Sequence, residues 1–167
     1  ILVYNARGYV LEILRVAESL GYDVQILKLN ASRYGVPQQR VRVFFIGRRR
    51  DLKLRPVSIP PEKSKVSVSE ALKGLTHECG KTCRHALNPS TKEWEIWHGS
   101  APGATGDAFN KRMYGTSQGF GSIKVGKYNP SRTIGSSGTI THFDEPRRLS
   151  SQEFFRLATF PDDYQIY

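Results

Sequence analysis

The 167-residue sequence has few cysteines, a single methionine and no long apolar run. Two cysteines cannot form a disulfide framework in a chain of this length, so a reducing cytosol is the expected compartment. No segment reaches the ~20 apolar residues of a membrane span, and no charged start followed by an apolar core indicates a secretory signal. Because Met113 is the sole methionine and the chain begins at Ile1, we expect a piece of a longer polypeptide.

Acidic residues are also scarce. The chain has 15 against 25 basic residues, a formal charge of +10, and none at all from Ala108 to Phe143. That basic span has six glycines, interleaved aromatic residues, and the cations Lys111, Arg112, Lys124, Lys127 and Arg132. Basic residues in glycine-rich loops with aromatic neighbours suit contact with phosphates and bases. A solvated basic face between short strands is the alternative.

The N-terminal third shows alternating helix and strand signals. Its predicted elements are a helix over Tyr9–Leu20, a strand over Asp23–Leu29, a loop over Asn30–Gln39 and a strand over Val41–Gly47. This order is typical of the tail of an α/β sheet. The predicted fold class is an α/β fragment, the tail of a Rossmann-like sheet, joined to a mostly irregular or β domain.

The remainder of the sequence is less regular. Arg55–Pro61 indicates a linker, Ser67–Leu75 predicts a short helix, and Thr76–Gly106 predicts neither helix nor strand. Near the end, Ser150 and Glu153 have the spacing of a capping box. They predict a helix from about Ser151 to Thr159 that ends before the following proline.

A cluster of long polar side chains follows the first predicted strand. In an extended strand alternate residues share a face, so Arg40 and Arg42 should point the same way at the start of a buried strand. If Asp23–Leu29 is a parallel strand of the sheet, Gln38 and both arginines lie near the carboxyl end of that strand. Open α/β sheets bind their ligands at the carboxyl ends of the parallel strands. Arginine is rarely buried unpaired, so a carboxylate, phosphate or base should meet these groups.

Three stretches in one order resemble the DNA (cytosine-5)-methyltransferase family. Residues 35–42, GVPQQRVR, resemble its GVPQxRxR segment, and Arg147 to Asp162 resembles its R-x-L…E-x-x-R-L…F-P-D segment. Between them the family places a target-recognition region, where Thr133-Ile134 resembles a Thr-Leu/Ile/Val pair. The resemblance implies a catalytic part over 1–52, target recognition over 53–146, and a returning helix over 147–167.

The resemblance also implies roles for single residues. Arg42 would contact a flipped cytosine, with Arg40 and Gln38 ordering the catalytic loop and phosphate. Thr133 would touch the DNA backbone, alongside the cations of the basic span. A further set would be structural: Arg147, Glu153 and Arg156. Double-stranded DNA is the expected partner, with no membrane, and the prokaryotic cytosol near the nucleoid is the expected location, within a restriction–modification system or outside one.

Several motifs of that family are missing. The sequence has no Gly-rich methyl-donor loop, no Pro-Cys-Gln nucleophile and no Glu-Asn-Val segment. S-adenosylmethionine would therefore be bound by missing parts of the enzyme, present in cis or as a separate subunit. The chain alone is expected to be inactive. A non-catalytic DNA-binding subunit of a split methyltransferase and a degenerate remnant are the alternatives.

Two further groups have open interpretations. His77, Cys79, Cys83 and His85 lie within nine positions, a spacing weakly compatible with zinc but cramped for four ligands, so free thiols are favoured and no metal is predicted. Trp94 and Trp97 could stack on bases, although tryptophans three positions apart more often anchor a small core.

Overall fold

The computed structural model describes residues 7–75, 85–117, 121–135 and 139–164. The chain divides into two compact units. Unit 1 comprises Ile1–Asn30 and Val41–Glu62, and unit 2 comprises Ala31–Arg40 and Lys63–Tyr167. Within the described ranges no helix is both long and apolar enough to cross a bilayer. The division into catalytic, recognition and returning segments concerns function and stays a prediction.

Unit 1 is a helix followed by a two-stranded antiparallel sheet. Helix α1 spans Arg7–Ser19, strand β1 spans Tyr22–Asn30 and strand β2 spans Val41–Arg49. Gly21 adopts φ +80° between α1 and β1, a left-handed conformation that glycine adopts without strain. The strand register runs from Tyr22 opposite Arg49 to Asn30 opposite Val41, so β2 begins where β1 ends. The predicted helix and both strands are confirmed.

The expectation that β2 is a buried strand was wrong for the described part of the chain. Val41 and Phe44 are 44% and 47% exposed, because β1 is the one described neighbour of β2. Helix α1 is similarly open. Ile13, Val16 and Phe45 help to line an apolar cleft of about 470 Å³ between the helix and the strands. The described residues of unit 1 therefore leave a large apolar surface exposed.

Unit 2 is built from short elements. They are a 3₁₀ turn at Ala31–Tyr34, helices α2 (Val68–Ala71), α3 (Lys92–Gly99), α4 (Gly106–Tyr114) and α5 (Ser151–Leu157), and strands β3 (Ile123–Lys124) and β4 (Ile140–Thr141). The two strands pair in parallel, with Ile123 opposite Ile140. One apolar cluster joins α2, β4 and α5 with the residues next to these elements and to β3: Val68, Leu72, Val125, Ile140, Phe143, Leu149 and Leu157. The mixed α/β class is thus confirmed, with small sheets.

Helix α5 follows its predicted start closely. The Ser150 hydroxyl accepts from the Glu153 amide, and the Glu153 carboxylate accepts from the Ser150 amide, so the predicted capping box is present. Leu149 and Phe154, on either side of this cap, both pack in the core cluster. The helix ends at Leu157, earlier than predicted, because Thr159 turns to φ +64° before the proline.

Two helices were not predicted. Helix α3 lies in the stretch expected to be irregular, and α4 puts Lys111 and Arg112 on a helix rather than in a glycine-rich loop. Thr91 and Thr105 cap their N-termini, each accepting a backbone N–H through its hydroxyl. Gly115 ends α4 at φ +70°. The glycines and prolines around these helices had favoured an irregular chain.

Candidate nucleic-acid interface

The segments carrying two of the family-like motifs meet in unit 2. The amide of Gln39 donates to the carbonyl of Ser131 at 2.7 Å, and the amide of Ser131 donates to the carbonyl of Pro37 at 2.9 Å. The Thr133 hydroxyl then donates to the carbonyl oxygen of Gln39 at 2.6 Å. Three hydrogen bonds therefore fix the loop 35–39 against the loop 130–133. Sequence reasoning named Gln38 and Thr133 separately, but their segments are one structural element.

The polar residues in and next to loop 35–39 differ in how deeply they are buried. Gln38 is 4% exposed, whereas Gln39 and Arg40 lie at the surface. The carbonyl of Arg40 accepts from the amide of Ala31 at 3.0 Å, which closes the loop at its base. Gly35 adopts φ +85°, so a side chain there would be strained. Gln38 is therefore inside the loop, whereas Gln39 and Arg40 are at its surface, and the predicted roles of Gln38 and Arg40 stay predictions.

Arg42 belongs to unit 1, near the start of β2. Its side chain is exposed, and one Nη donates to the carbonyl of Val41 at 2.8 Å. Among the described residues no carboxylate pairs with it. The guanidinium retains donors for a phosphate or a base. The sequence predicted one of these or a carboxylate, and which group it meets stays a prediction.

Lys124 is half-buried, and its ammonium is engaged by carbonyls of the protein. Its Nζ donates to the carbonyls of Trp97 and Ser100 at 3.0 and 3.2 Å, at the C-terminal end of α3. The same ammonium lies 3.8 Å from the centroid of the Trp97 ring. Burial lowers the pKa of Lys124, consistent with an ammonium removed from water. Lys124 stabilises the end of α3, a role that its sequence context did not indicate.

The other cations of the basic span lie at the surface with different partners. Lys127 pairs with Asp144 at 2.7 Å, and the Nε of Arg132 donates to the carbonyl of Gly103 at 3.3 Å. Arg112 donates to the carbonyl of Gly99. Lys111 is exposed on α4. Of the predicted DNA contacts, Lys111 and Arg132 are thus well exposed, and Lys127 is held by an ion pair.

A polar cleft opens beside the paired loops. It has a volume of about 300 Å³, and Gln39, Asn129 and Arg132 supply its polar side chains. Its floor includes Gly103 and Gly126, where a Cβ on Gly126 would lie 3.5 Å from the Cα of Gly103. Two amides and one guanidinium without an acidic side chain favour an anion or a hydrogen-bonding base edge. The cleft is the best candidate for a DNA strand in unit 2.

Two of the three residues predicted to be structural, Arg147 and Glu153, form a buried ion pair. Arg147 and Glu153 are each 4% exposed, and they make a bidentate pair with N–O distances of 2.7 and 2.8 Å. The Nε of Arg147 also donates to Glu145 at 2.8 Å. Burial alone would raise the pKa of Glu153, but hydrogen bonds from Arg147 and Ser150 outweigh it and hold that pKa below its usual range. Arg156 pairs with Asp162 and donates to the carbonyl of Lys73.

His142 was missed by sequence reasoning. Its Nδ1 accepts from the amides of Asp144 and Glu145 at 3.2 and 3.1 Å, so the ring is the Nε2–H tautomer. Burial, with Arg147 nearby, lowers the pKa of His142. A buried neutral imidazole therefore caps the turn that leads into the ion network. A lone histidine in a basic span carries no sequence signal for this role.

The structure describes both tryptophans but only one of the four possible metal ligands. The Trp97 Nε1 donates to the carbonyl of His142 at 2.7 Å, which favours the core-anchor interpretation for that residue. Trp94 stacks on His98 with ring centroids 3.7 Å apart. His77, Cys79 and Cys83 lie outside the described residues, and His85 belongs to no metal-binding cluster among those described.

Three clefts among the described residues lack the set of groups that S-adenosylmethionine would need. The apolar cleft of unit 1 offers Glu12 as its one charged lining residue. The polar cleft of unit 2 has no acidic residue to meet a sulfonium cation or ribose hydroxyls. A third cleft, beside α5, includes Asp162, but that carboxylate is paired with Arg156. None of these three clefts combines the groups that the cofactor would need.

Known proteins provide independent comparisons. The family described as C-5 cytosine-specific DNA methylase matches residues 2–167. Type II methyltransferase M.BbvI of Brevibacillus brevis is 33% identical over 94% of this chain and 45% of its own length. Type II methyltransferase M.MthTI of Methanothermobacter thermautotrophicus is 30% identical over 89% and 48%. The chain thus spans about half the length of these relatives.

A solved structure agrees on the fold. It is a provisionally assigned DNA modification methyltransferase encoded within an Escherichia coli prophage. The match has a TM-score of 0.66 and 19% identity, and covers 96% of this chain and 57% of the other. The family match places the chain within a class of DNA methyltransferases, and the solved structure agrees with it in fold. Within that class, the chain belongs to the C-5 cytosine-specific DNA methylase family.

Proposed function

We propose that this chain is the target-recognition half of a DNA (cytosine-5)-methyltransferase. The observation that carries the proposal is the fixed pairing of loop 35–39 with loop 130–133, held by the Thr133–Gln39 and Gln39–Ser131 hydrogen bonds. These loops carry two of the motifs that resemble the family. The adjoining polar cleft, with Arg132 on its wall, would receive the DNA strand.

The chemistry itself would depend on residues outside this chain. Enzymes that modify a base in DNA rotate it out of the stack, because its reactive atoms are otherwise inaccessible. A cysteine thiolate adding to C6 of cytosine would activate C5, but neither cysteine here follows a proline as the nucleophile does. Arg42 would hold the flipped cytosine. The chain alone is therefore inactive, and the cofactor is held elsewhere in the enzyme.

The exposed apolar surface of unit 1 is suited to contact with a large protein partner. The relatives M.BbvI and M.MthTI are about twice as long as the matched region. The exposed apolar side chains of α1 and β2 would be covered by the remaining half of such an enzyme. That half would be joined in cis, or supplied as a separate subunit in a split enzyme. The complete protein would act in the prokaryotic cytosol, close to the chromosome.

The gene and one variant test this proposal. An in-frame Pro-Cys-Gln and Gly-rich loop upstream of the Ile1 codon would establish the cis arrangement, and a nearby start codon without them would establish a subunit or remnant.

In the complete enzyme, Arg42→Ala should reduce methylation of DNA cytosine far more than DNA binding. Lys53→Ala, at an exposed position of unit 1, is the matched control. Equal loss of methylation and binding would count against Arg42 at the flipped base.

A further inference from the structure

Tyr128 is the most exposed large apolar side chain that the structure describes. It is 79% exposed, in the turn between Gly126 and Ser131. An isolated exposed aromatic is ordinary on a protein surface. Tyr128 differs because the backbone on both sides of it is fixed.

The turn is anchored at alternate residues. The carbonyls of Lys127 and Asn129 accept from the amides of Ser69 and Val68, at 3.0 and 3.1 Å. Those amides are the first two of helix α2 and have no partner within the helix. Ser131, which ends the turn, is buried and pairs with the 35–39 loop. The main chain therefore fixes the position of Tyr128 at the surface, and little backbone entropy remains to be lost on binding.

The surroundings of the ring favour a nucleic acid over an apolar protein surface. Lys127 lies 5.8 Å from the ring centroid, and its ion pair neutralises Asp144, the carboxylate in contact with the turn. Asn129, the next residue, lines the polar cleft together with Arg132. An exposed aromatic ring beside a lysine and an amide side chain suits stacking on a base, while nearby donors hold the backbone.

We propose that Tyr128 stacks on a nucleobase of the bound DNA, next to the strand held in the polar cleft. The proposal rests on the proposed function, because it assumes that this chain contacts DNA. The stacked ring would set the position of the strand without adding a phosphate contact. Loss of one such stack weakens binding by roughly 5- to 150-fold.

The test uses the complete protein and random-sequence duplex and single-stranded oligonucleotides. Tyr128→Ala should weaken DNA binding within that range, Tyr128→Leu nearly as much, and Tyr128→Phe about twofold or less, because phenylalanine retains the ring. The salt dependence of binding should be the same in all four proteins, since no phosphate contact is lost. Irradiation of bromodeoxyuridine-substituted DNA should crosslink the wild-type protein at Tyr128.

Failure of the stacking proposal and failure of the proposed function would give different results. If the wild-type protein binds DNA with a normal salt dependence and Tyr128→Ala binds equally well, the stack is refuted and the proposed function stands. If Tyr128→Ala lowers the melting temperature markedly, the ring packs against another part of the protein, and the proposal is likewise overturned. If the wild-type protein does not bind DNA, the proposed function fails first and the stack fails with it.

Discussion

The hydroxyl of Thr133 donates a hydrogen bond to the carbonyl oxygen of Gln39 across 94 positions of sequence. The resemblance to cytosine methyltransferases assigned Thr133 to the DNA backbone. Its hydroxyl hydrogen is committed to Gln39, but its oxygen keeps lone pairs and its position stays exposed. One side chain can therefore hold the two loops together and still face a ligand.

Thr133→Val should destabilise the protein by about 1 kcal/mol, because it removes this hydrogen bond while conserving shape. Thr133→Ser, which keeps the hydroxyl, should retain most of the stability. Urea unfolding gives both values, with Thr116→Val as a control at another exposed threonine. Equal effects of the two valine substitutions would show that the loop pairing does not depend on Thr133.

Glu153→Gln should cost about 3 kcal/mol of unfolding free energy, because it leaves the buried Arg147 guanidinium without its bidentate partner. Glu145→Gln is the matched control. Glu145 binds the same arginine but is 53% exposed, so its loss should cost less than about 1 kcal/mol. Comparable costs for the two variants would mean that burial does not decide the strength of this network.

Stability should fall as the pH is lowered below about 6.5, the ordinary pKa of histidine. The pKa of His142 is lowered in the folded state, so in this window the unfolded chain takes up a proton that the folded chain refuses. The lowered pKa of Glu153 adds to the loss only below its ordinary value of 4.5.

Urea unfolding over a pH series measures this slope. His142→Asn should flatten it, because the asparagine oxygen can accept the same turn amides without titrating. A slope that persists in His142→Asn would assign the acid sensitivity to another group.

Two lysines of the basic span should behave in opposite ways. Lys111→Ala, on the exposed face of α4, should leave stability unchanged and reduce the slope of log binding constant against log salt by about 0.9 in the complete protein. Lys124→Met should leave that slope unchanged and lower stability, because two carbonyls at the end of α3 lose their donor. The reverse pattern would restore Lys124 to the DNA-binding set.

The predictable features were those set by neighbours in sequence. The α1 periodicity, the β1 and β2 composition and the Ser150–Glu153 cap each depend on residues a few positions apart, and all three were found. Helix α3 has local signals too, in its Thr91 cap and the first-turn residues Glu93 and Glu95. Those signals are weak in a short helix, which depends mainly on packing for its stability.

The roles that could not be predicted depend on distant partners. The sequence shows Lys124 as one cation among several, and only the fold brings it to the carbonyls of Trp97 and Ser100. The same holds for His142, whose buried position and two amide donors follow from a turn. Charge counting identifies a basic region, but it does not separate the cations that face solvent from those used internally.

If the proposed function is correct, the chain path determines how DNA recognition could be exchanged between related enzymes. Residues 31–40 leave the β1–β2 hairpin to join unit 2, where Pro37 and Gln39 bond to Ser131 and Thr133. A transplant of residues 63–146 alone would bring a foreign 130–133 loop against the resident 35–39 loop. The exchangeable module is therefore discontinuous, and a chimaera needs both inserts from the same donor.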